Sequence, residues 1–171
     1  MQAREEALAR LAASEFSETK PTLIDSKTEE FPAGWVYFYQ SALFLRTNDI
    51  RESLVGNAPL FVPRNGAEPE FISYHRPTAE SAEAFSYCGN ASAKPNAEVE
   101  LKGWRAGARK VSATQTIRAR SSLGLAAAHE AVEQCLAGQV IKIRTGSVSA
   151  ARELVSNLEA LGFLAGITYG A

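Results

Sequence analysis

The chain has 171 residues, of which 46% are hydrophobic, with 18 Lys and Arg against 19 Asp and Glu for a formal net charge of −1. This composition is that of a globular protein and excludes global disorder, and the near-zero net charge gives no reason to expect a nucleic acid or an anionic membrane as partner. The charges are uneven, since residues 1–95 carry nine basic and thirteen acidic residues while residues 96–171 carry nine and six, which predicts two modules.

The first module opens with a short amphipathic helix within residues 3–16. Ala7, Leu8, Leu11 and Ala12 recur there at helical spacing, and charged residues occupy most of the remaining helical wheel. This pattern predicts a helix that packs one apolar side against the rest of the module.

Short extended segments follow the helix, each bounded by turn residues. They are "PTLIDS" at 21–26, an aromatic stretch at 35–41, "PLFVPR" at 59–64 and "PEFISY" at 69–74. Because Asn65 and Gly66 form a strong turn signal, the last two segments are predicted to pair as a hairpin. Residues 1–76 are therefore expected to fold as a helix on a small, mainly antiparallel sheet.

The stretch "GWVYFYQS", which begins at residue 34, puts bulky side chains on both faces of one predicted strand. In an extended chain Trp35, Tyr37 and Tyr39 point to one side while Val36 and Phe38 point to the other. In one interpretation both faces are covered within the fold. In the other, Val36 and Phe38 pack under the N-terminal helix and the three remaining rings face a partner, because Tyr and Trp bury large areas with few rotors.

The composition changes after the first module. Residues 77–96 are rich in Pro, Ala, Ser, Gly and Asn, which predicts a linker that contains at most a short helix around "TAESAEAF". Residues 97–171 then show the order strand, helix, helix, strand, helix, strand. The expected fold class is α+β, with the helices of this second module on one face of its sheet.

Capping residues mark two helices of the second module. Ser112, with Gln115 three residues later, has capping-box spacing and is predicted to open the first helix. The last helix carries apolar residues three and four apart, and it is bounded by Ser147 and Gly162, which fit its start and its end.

Residue types that carry catalysis or metal binding are few. The soft ligands are His75, His129, Cys88 and Cys135, and their spacing contains no chelating pair, so no metal site is predicted and both thiols are expected to be reduced. Cys88 with His75 as base is a conceivable nucleophilic pair, but no third orienting group accompanies it. The glycines lack the spacing of a phosphate-binding loop. We therefore predict no catalytic residues, no cofactor, no small-molecule substrate and no enzymatic activity.

Basic residues cluster around Trp104 at the start of the second module. Phosphate contact is one explanation, but Arg118 and Arg120 diverge on a helix, so a solvated face fits better and nucleic acid is not expected as a partner. Contact with an acidic protein surface is a third explanation. The cluster comprises Lys102, Arg105, Arg109, Lys110, Arg118 and Arg120.

The sequence gives no sign of a membrane protein. "MQAREEALARL" at the N-terminus has no long apolar core, and no later stretch approaches the roughly 18 apolar residues needed to span a bilayer. We expect a cytoplasmic protein without a membrane partner.

Together with "GNAPLFV" and "FISY", the stretch "GWVYFYQS" resembles the bacterial family called immunity protein 35 over roughly residues 1–75. The resemblance implies a cytoplasmic protein that binds and neutralises a cognate secreted antibacterial toxin in the producing cell. It places the protein in interbacterial competition, in a polymorphic toxin system that uses type VI secretion.

The expected mechanism is occlusion of the toxin's active site, without catalysis. Aromatic anchors would slow dissociation and acidic side chains would speed association with a basic toxin surface. The expected contact residues are Trp35, Tyr37, Tyr39, Asp25, Glu29, Glu30, Asp49 and Glu52.

A second resemblance covers about residues 97–168. The segments "SLGLAAAHEAVE", "VIKI" and "LVSNLEALGFLAGI" are similar to the C-terminal domain of the bacterial ribosomal stalk protein. That resemblance implies an alternative function, an interaction adaptor that binds translation machinery. Two lysines of the family's factor-binding surface fall at Ala126 and His129 here, which argues against this alternative.

Overall fold

The computed structural model describes residues 2–170, which divide into two compact units at the boundary between Ala93 and Lys94. Helices and small antiparallel sheets make up both units, which confirms the expected α+β class. Within the described residues, no helix combines the length and the apolar character that crossing a bilayer requires.

The first unit alternates short strands with helices. In chain order its elements are α1 (Gln2–Ala12), β1 (Pro21–Leu23), β2 (Glu29–Phe31), β3 (Gly34–Tyr37), β4 (Tyr39–Ser41), α2 (Ala42–Thr47), β5 (Leu60–Pro63), β6 (Glu70–Phe71) and α3 (Thr78–Cys88). Short 3₁₀ turns lie at Ser17–Thr19, Asp25–Lys27 and Ile50–Glu52.

The strands of this unit form a four-stranded sheet in the order β2-β3-β5-β6 and a separate pair, β1-β4, all antiparallel. The predicted hairpin is confirmed, since Leu60 lies opposite Phe71 and Phe61 lies opposite Glu70. Gly66, in the connecting turn, adopts a φ of 77°, the left-handed region that glycine enters without steric cost.

The aromatic stretch is two strands rather than the single strand that was expected. The break falls at Phe38, whose carbonyl oxygen accepts a hydrogen bond of 2.8 Å from the backbone N–H of Ile24. The chain therefore leaves the four-stranded sheet after β3 and pairs with β1 through β4. The alternation of apolar residues continues across the break, so the pattern alone did not reveal it.

Both faces of the sheet are covered by helices of the same unit. Side chains alternate along β5, so Leu60 and Val62 share a cluster with Leu11 of α1, while Phe61 faces α3. The ring of Phe61 lies 5.1 Å from that of Phe85, measured between centroids. The first unit is thus a three-layer arrangement of helix, sheet and helix.

Residues 77–96 differ from the linker that the composition predicted. The segment forms α3, a helix of 11 residues, in which Ala82 and Phe85 are buried. After the helix, Ala91 and Ala93 are also buried. The small residues that read as a flexible linker are suited to close packing of α3 on the sheet.

The second unit has the predicted order of elements. They are β7 (Lys94–Trp104), α4 (Lys110–Arg120), α5 (Leu125–Leu136), β8 (Ile141–Arg144), α6 (Val148–Ala160) and β9 (Phe163–Gly170). The strands form an antiparallel sheet in the order β8-β7-β9. Helices α5 and α6 pack against the sheet and α4 packs on both of them.

One of the two predicted helix starts is correct. Ser147 caps α6, since its Oγ accepts a hydrogen bond of 3.1 Å from the backbone N–H of Ala150. The capping box at Ser112 is wrong, because α4 begins at Lys110 and its cap residue, Arg109, makes no side-chain capping bond.

Candidate functional site

The aromatic side chains of the central strands lie mainly in the core. Tyr37 is 6% and Tyr39 is 2% exposed, and both pack in the cluster that contains Ala7 and Leu11 of α1. Val36 lies on the other face, under α3. The expected orientation, with the tyrosines turned toward a partner and Val36 under the N-terminal helix, is therefore wrong, because α1 covers the opposite face of the strand.

Trp35 is half-buried and carries an arginine on its ring. The guanidinium carbon of Arg64 lies 4.0 Å from the ring centroid, a cation–π geometry. The same guanidinium pairs with Glu30 at 2.7 Å and donates to the carbonyl oxygens of Phe31 and Pro32. The indole is thus held by a neighbour from within its own unit.

The structure brings three of the predicted acidic residues, Asp25, Glu29 and Glu30, to the β2 side of the first unit. Burial raises the pKa of the Tyr37 hydroxyl, the charge of Arg4 lowers it, and the carboxylates of Asp25 and Glu30 add to the rise. Both carboxylates therefore act on the Tyr37 hydroxyl through their charge.

Each carboxylate of this group has a partner within the unit. Asp25 pairs with Arg4 at 3.2 Å, and Glu29 accepts a hydrogen bond from the hydroxyl of Thr78. Glu30 has the ion pair with Arg64 described above.

Asp49 and Glu52 lie apart from that group, in the segment between β4 and β5. The side chain of Asp49 accepts from the backbone N–H of Arg51 and pairs with its guanidinium at 2.6 Å. The hydrogen bond from Arg51 lowers the pKa of the Asp49 carboxyl. The structure thus divides the predicted acidic residues between two places on the first unit.

This same segment, residues 42–55, exposes a series of large apolar side chains that sequence analysis missed. Leu45 is 45%, Ile50 is 74% and Val55 is 88% exposed, and Leu43 is also exposed. Clustered apolar residues on a surface mark interaction sites more often than isolated ones do. We call residues 42–55 the exposed segment.

Gln40 and Ser41 hold the exposed segment against β4. The Gln40 amide donates to the carbonyl oxygen of Leu54 at 3.0 Å and accepts from the backbone N–H of the same residue. Ser41 caps α2 by accepting from the N–H of Phe44 at 3.0 Å, and its hydroxyl donates to the carbonyl oxygen of Glu52. Anchored at both ends, the segment presents its apolar side chains on a fixed support.

A groove of about 400 Å³ lies beyond the end of α1. Arg10, Glu15, Phe16 and Phe71 are among its lining residues. The groove was not predicted from the sequence, because its walls come from parts of the chain more than fifty residues apart. The one local signal is an acidic residue beside an aromatic one, Glu15-Phe16, just after the helix.

Tyr39 lies against the walls of this groove. Its ring centroid is 6.0 Å from that of Phe16 and 6.4 Å from that of Phe71. Its hydroxyl is buried and has no hydrogen-bond partner among residues 2–170. Burial, with a smaller contribution from the charge of Glu15, raises the pKa of Tyr39 to about 12.

Tyr39 is predicted to make the first unit less stable at alkaline pH. The pKa of its hydroxyl rises from 10.0 in the unfolded chain to about 12 in the fold, so the unfolded state loses this proton first. The stabilising contribution is fully present below pH 10 and is lost as the pH rises to about 12. The free energy of unfolding, measured with urea at both ends of this window, should fall further for the wild type than for Tyr39→Phe. Equal decreases would contradict the burial of the hydroxyl.

Cys88 and His75, the conceivable nucleophilic pair, each contact another residue of the first unit. Cys88 is the last residue of α3, where its Sγ donates to the carbonyl oxygen of Ala84 at 3.3 Å, rather than lying in a loop. The ring of His75 stacks on Tyr74 with centroids 4.1 Å apart. Burial raises the pKa of the Cys135 thiol. Within residues 2–170, no three His, Cys, Asp or Glu side chains gather as a metal site.

Several residues of the basic cluster in the second unit pair with acidic neighbours. Lys110 lies 2.9 Å from Glu133, and Arg120 pairs with Glu153. Arg109 donates to a backbone carbonyl oxygen at the end of α6, that of Ala160. These contacts fit a solvated, internally paired face.

Together, these features define a small α+β protein with an anchored apolar surface, in which no metal site forms within the described residues. A family model described as immunity protein 35 matches residues 1–107, more than half of the chain. The chain therefore belongs to the immunity protein 35 family, whose role is immunity against a toxin. The match includes the whole first unit and continues through β7. No curated protein and no solved structure matches the chain.

Proposed function

We propose that this protein is a stoichiometric inhibitor that binds a cognate secreted toxin in the cytoplasm of the producing cell and covers the toxin's active site. The protein performs no catalysis itself. The toxin belongs to a polymorphic toxin system that acts between bacteria and uses type VI secretion. The observation that carries this proposal is the family match over residues 1–107.

The contact surface that we propose centres on the exposed segment. Ile50 and Val55 supply largely exposed apolar area, and burying it against a toxin would favour binding. Asp49 and Glu52 lie in the same segment, and Asp25, Glu29 and Glu30 add acidic contacts at the edge of the sheet. Complementary charges of this kind speed association.

The three aromatic residues of the central strands differ in how they would contribute to toxin binding. Tyr37 and Tyr39 are buried, so they support the surface from beneath. Trp35 is half-buried beneath Arg64, and its accessible edge is available for contact. The main contact thus shifts from the aromatic strand to the loops around it.

The proposal predicts that a neighbouring gene encodes a large secreted protein with a toxin-like C-terminal domain, and the direct test is co-expression with that domain. The protein is expected to restore growth and to form a 1:1 complex with that domain. Absence of both rescue and complex would refute the proposal. Rescue without a stable complex would contradict the occlusion mechanism.

Ile50→Asp is predicted to weaken toxin binding about a hundredfold, because it places a charge at the centre of the exposed segment. Ile50 is 74% exposed, so the free energy of unfolding should not change. The matched control is Val111→Asp in α4, where the valine is 66% exposed. Calorimetric titration of the toxin domain measures both variants, and equal affinities would show that the exposed segment does not bind the toxin.

A further inference from the structure

The groove beyond α1 combines aromatic walls with a carboxylate that forms no ion pair within residues 2–170. Glu15 lines the groove beside Phe16 and Phe71. The carboxylates of Asp25, Glu30 and Asp49 each pair with an arginine, whereas Glu15 has no ion pair among the described residues. An unpaired carboxylate beside aromatic rings attracts a cation, because the ring faces and the carboxylate are both negative.

One cation already packs on this surface. The guanidinium carbon of Arg10 lies 5.1 Å from the centroid of the Phe71 ring, and its Nε donates to the carbonyl oxygen of Pro69 at 3.4 Å. Arg10 is thus held on Phe71 and does not neutralise Glu15. The contact shows that the aromatic lining of the groove accepts a guanidinium.

A buried polar atom belongs to a ring that packs against the aromatic walls of the groove. The hydroxyl of Tyr39 has no partner within residues 2–170, although its side chain is 98% buried. It lies near Glu15, whose charge acts on it, and its ring contacts both aromatic walls. Buried hydroxyls normally have a hydrogen-bond partner, but Tyr39 is not among the residues that line the groove, so a bound cation would be held by the lining residues.

From these contacts we propose that the groove is a subsite for a lysine or arginine side chain on the surface of the toxin, an inference that rests on the proposed function. The long apolar stem of such a side chain would lie against Phe16 while its charged end meets Glu15. The net charge of the first unit also favours a basic ligand, since residues 1–93 carry eight basic and thirteen acidic residues. A basic patch on the toxin complements that surface.

The first test uses a small probe and does not depend on the toxin. N-acetyl-arginine amide is titrated into the full chain and the backbone amide signals of Phe16, Gly56 and Phe71 are followed by NMR. We expect a Kd on the order of 10 mM, at least tenfold weaker binding to Glu15→Gln, and no change with Glu18→Gln, an exposed neighbour outside the groove. Equal binding of the neutral citrulline analogue, or equal binding to both variants, would overturn the subsite.

The second test uses the toxin domain itself. Glu15→Gln should bind it about tenfold more weakly than the wild type, and Glu18→Gln should bind it as the wild type does.

The two tests separate the two proposals. If the toxin binds Glu15→Gln and Glu18→Gln equally well, the toxin-side-chain proposal is overturned while the proposed function stands. If the wild type binds the arginine probe but not the toxin domain, the proposed function fails, and the groove is then a site for a free small cation rather than for a toxin side chain.

Discussion

Replacing Gly34 by alanine is expected to lower the free energy of unfolding of the first unit by at least about 3 kcal/mol. A Cβ atom at this position would lie 2.2 Å from the carbonyl oxygen of Val62 and 3.0 Å from the Cα of Pro63. Both are backbone atoms of β5, which pairs directly with β3. No flexible side chain can move aside, so the two central strands must separate.

The matched control is Gly124→Ala. A Cβ there meets nothing within 4 Å, its φ is −70° and the residue lies in the second unit. This change should therefore leave the unfolding midpoint of the first unit where it is in the parent. Urea unfolding followed by Trp35 fluorescence, in a Trp104→Phe background, reports on the first unit alone. A Gly34→Ala midpoint equal to that of the parent would contradict the close pairing of β3 and β5.

The close approach of β5 to Gly34 explains why "GWVYFYQS" begins with a glycine. The rest of the stretch is core: Trp35, Tyr37 and Tyr39 belong to the face under α1, and Val36 to the face under α3. The sequence allowed two interpretations of the strand, and coverage of both faces is the one that the structure confirms. The expectation of one continuous strand was wrong at Phe38. The expectation that Val36 packs under the N-terminal helix was also wrong, because the order of layers depends on contacts between distant segments.

The second unit was predictable because its signals are local. Leu154 and Leu158 repeat at helical spacing and are fully buried, Ser147 caps the helix and Gly162 follows its end with a φ of 90°. Each of these features is decided within one or two turns of chain. The break at Phe38 is different, since it depends on a hydrogen bond from Ile24.

The candidate site was only partly predictable, because it too depends on contacts between residues that are distant in the chain. Composition indicated that the first module is acidic, but it did not show which carboxylates are neutralised. Asp25 meets an arginine 21 residues away and Glu30 meets one 34 residues away. Glu15 and Phe71 line the same groove although they are far apart in the chain, so the linear sequence shows only the Glu15-Phe16 part of it.

Arg76→Ala is the second change for which we expect a large effect, a loss of about 3 kcal/mol in the free energy of unfolding of the first unit. The Arg76 side chain is 16% exposed. Its guanidinium donates to the hydroxyl of Ser81 at 3.0 Å and to the carbonyl oxygens of Ala93, at 2.7 Å, and Ala91. It also lies 3.6 Å from the carboxylate of Glu80. Truncation removes the donors for two backbone carbonyls in a buried segment.

The loss depends on the forked shape of the guanidinium as well as on its charge. Arg76→Lys keeps the charge but cannot reach all of these acceptors at once, so its midpoint in urea should lie between those of Arg76→Ala and the wild type. Arg51→Ala, at an arginine that is 83% exposed, should leave the midpoint unchanged. If the urea midpoint of Arg76→Lys equalled that of the wild type, the charge alone would account for the effect. The several hydrogen bonds of the guanidinium would then not be what holds the segment before Lys94 in place. If Arg76→Ala matched Arg51→Ala, the contacts of Arg76 would contribute no more than an exposed surface pair.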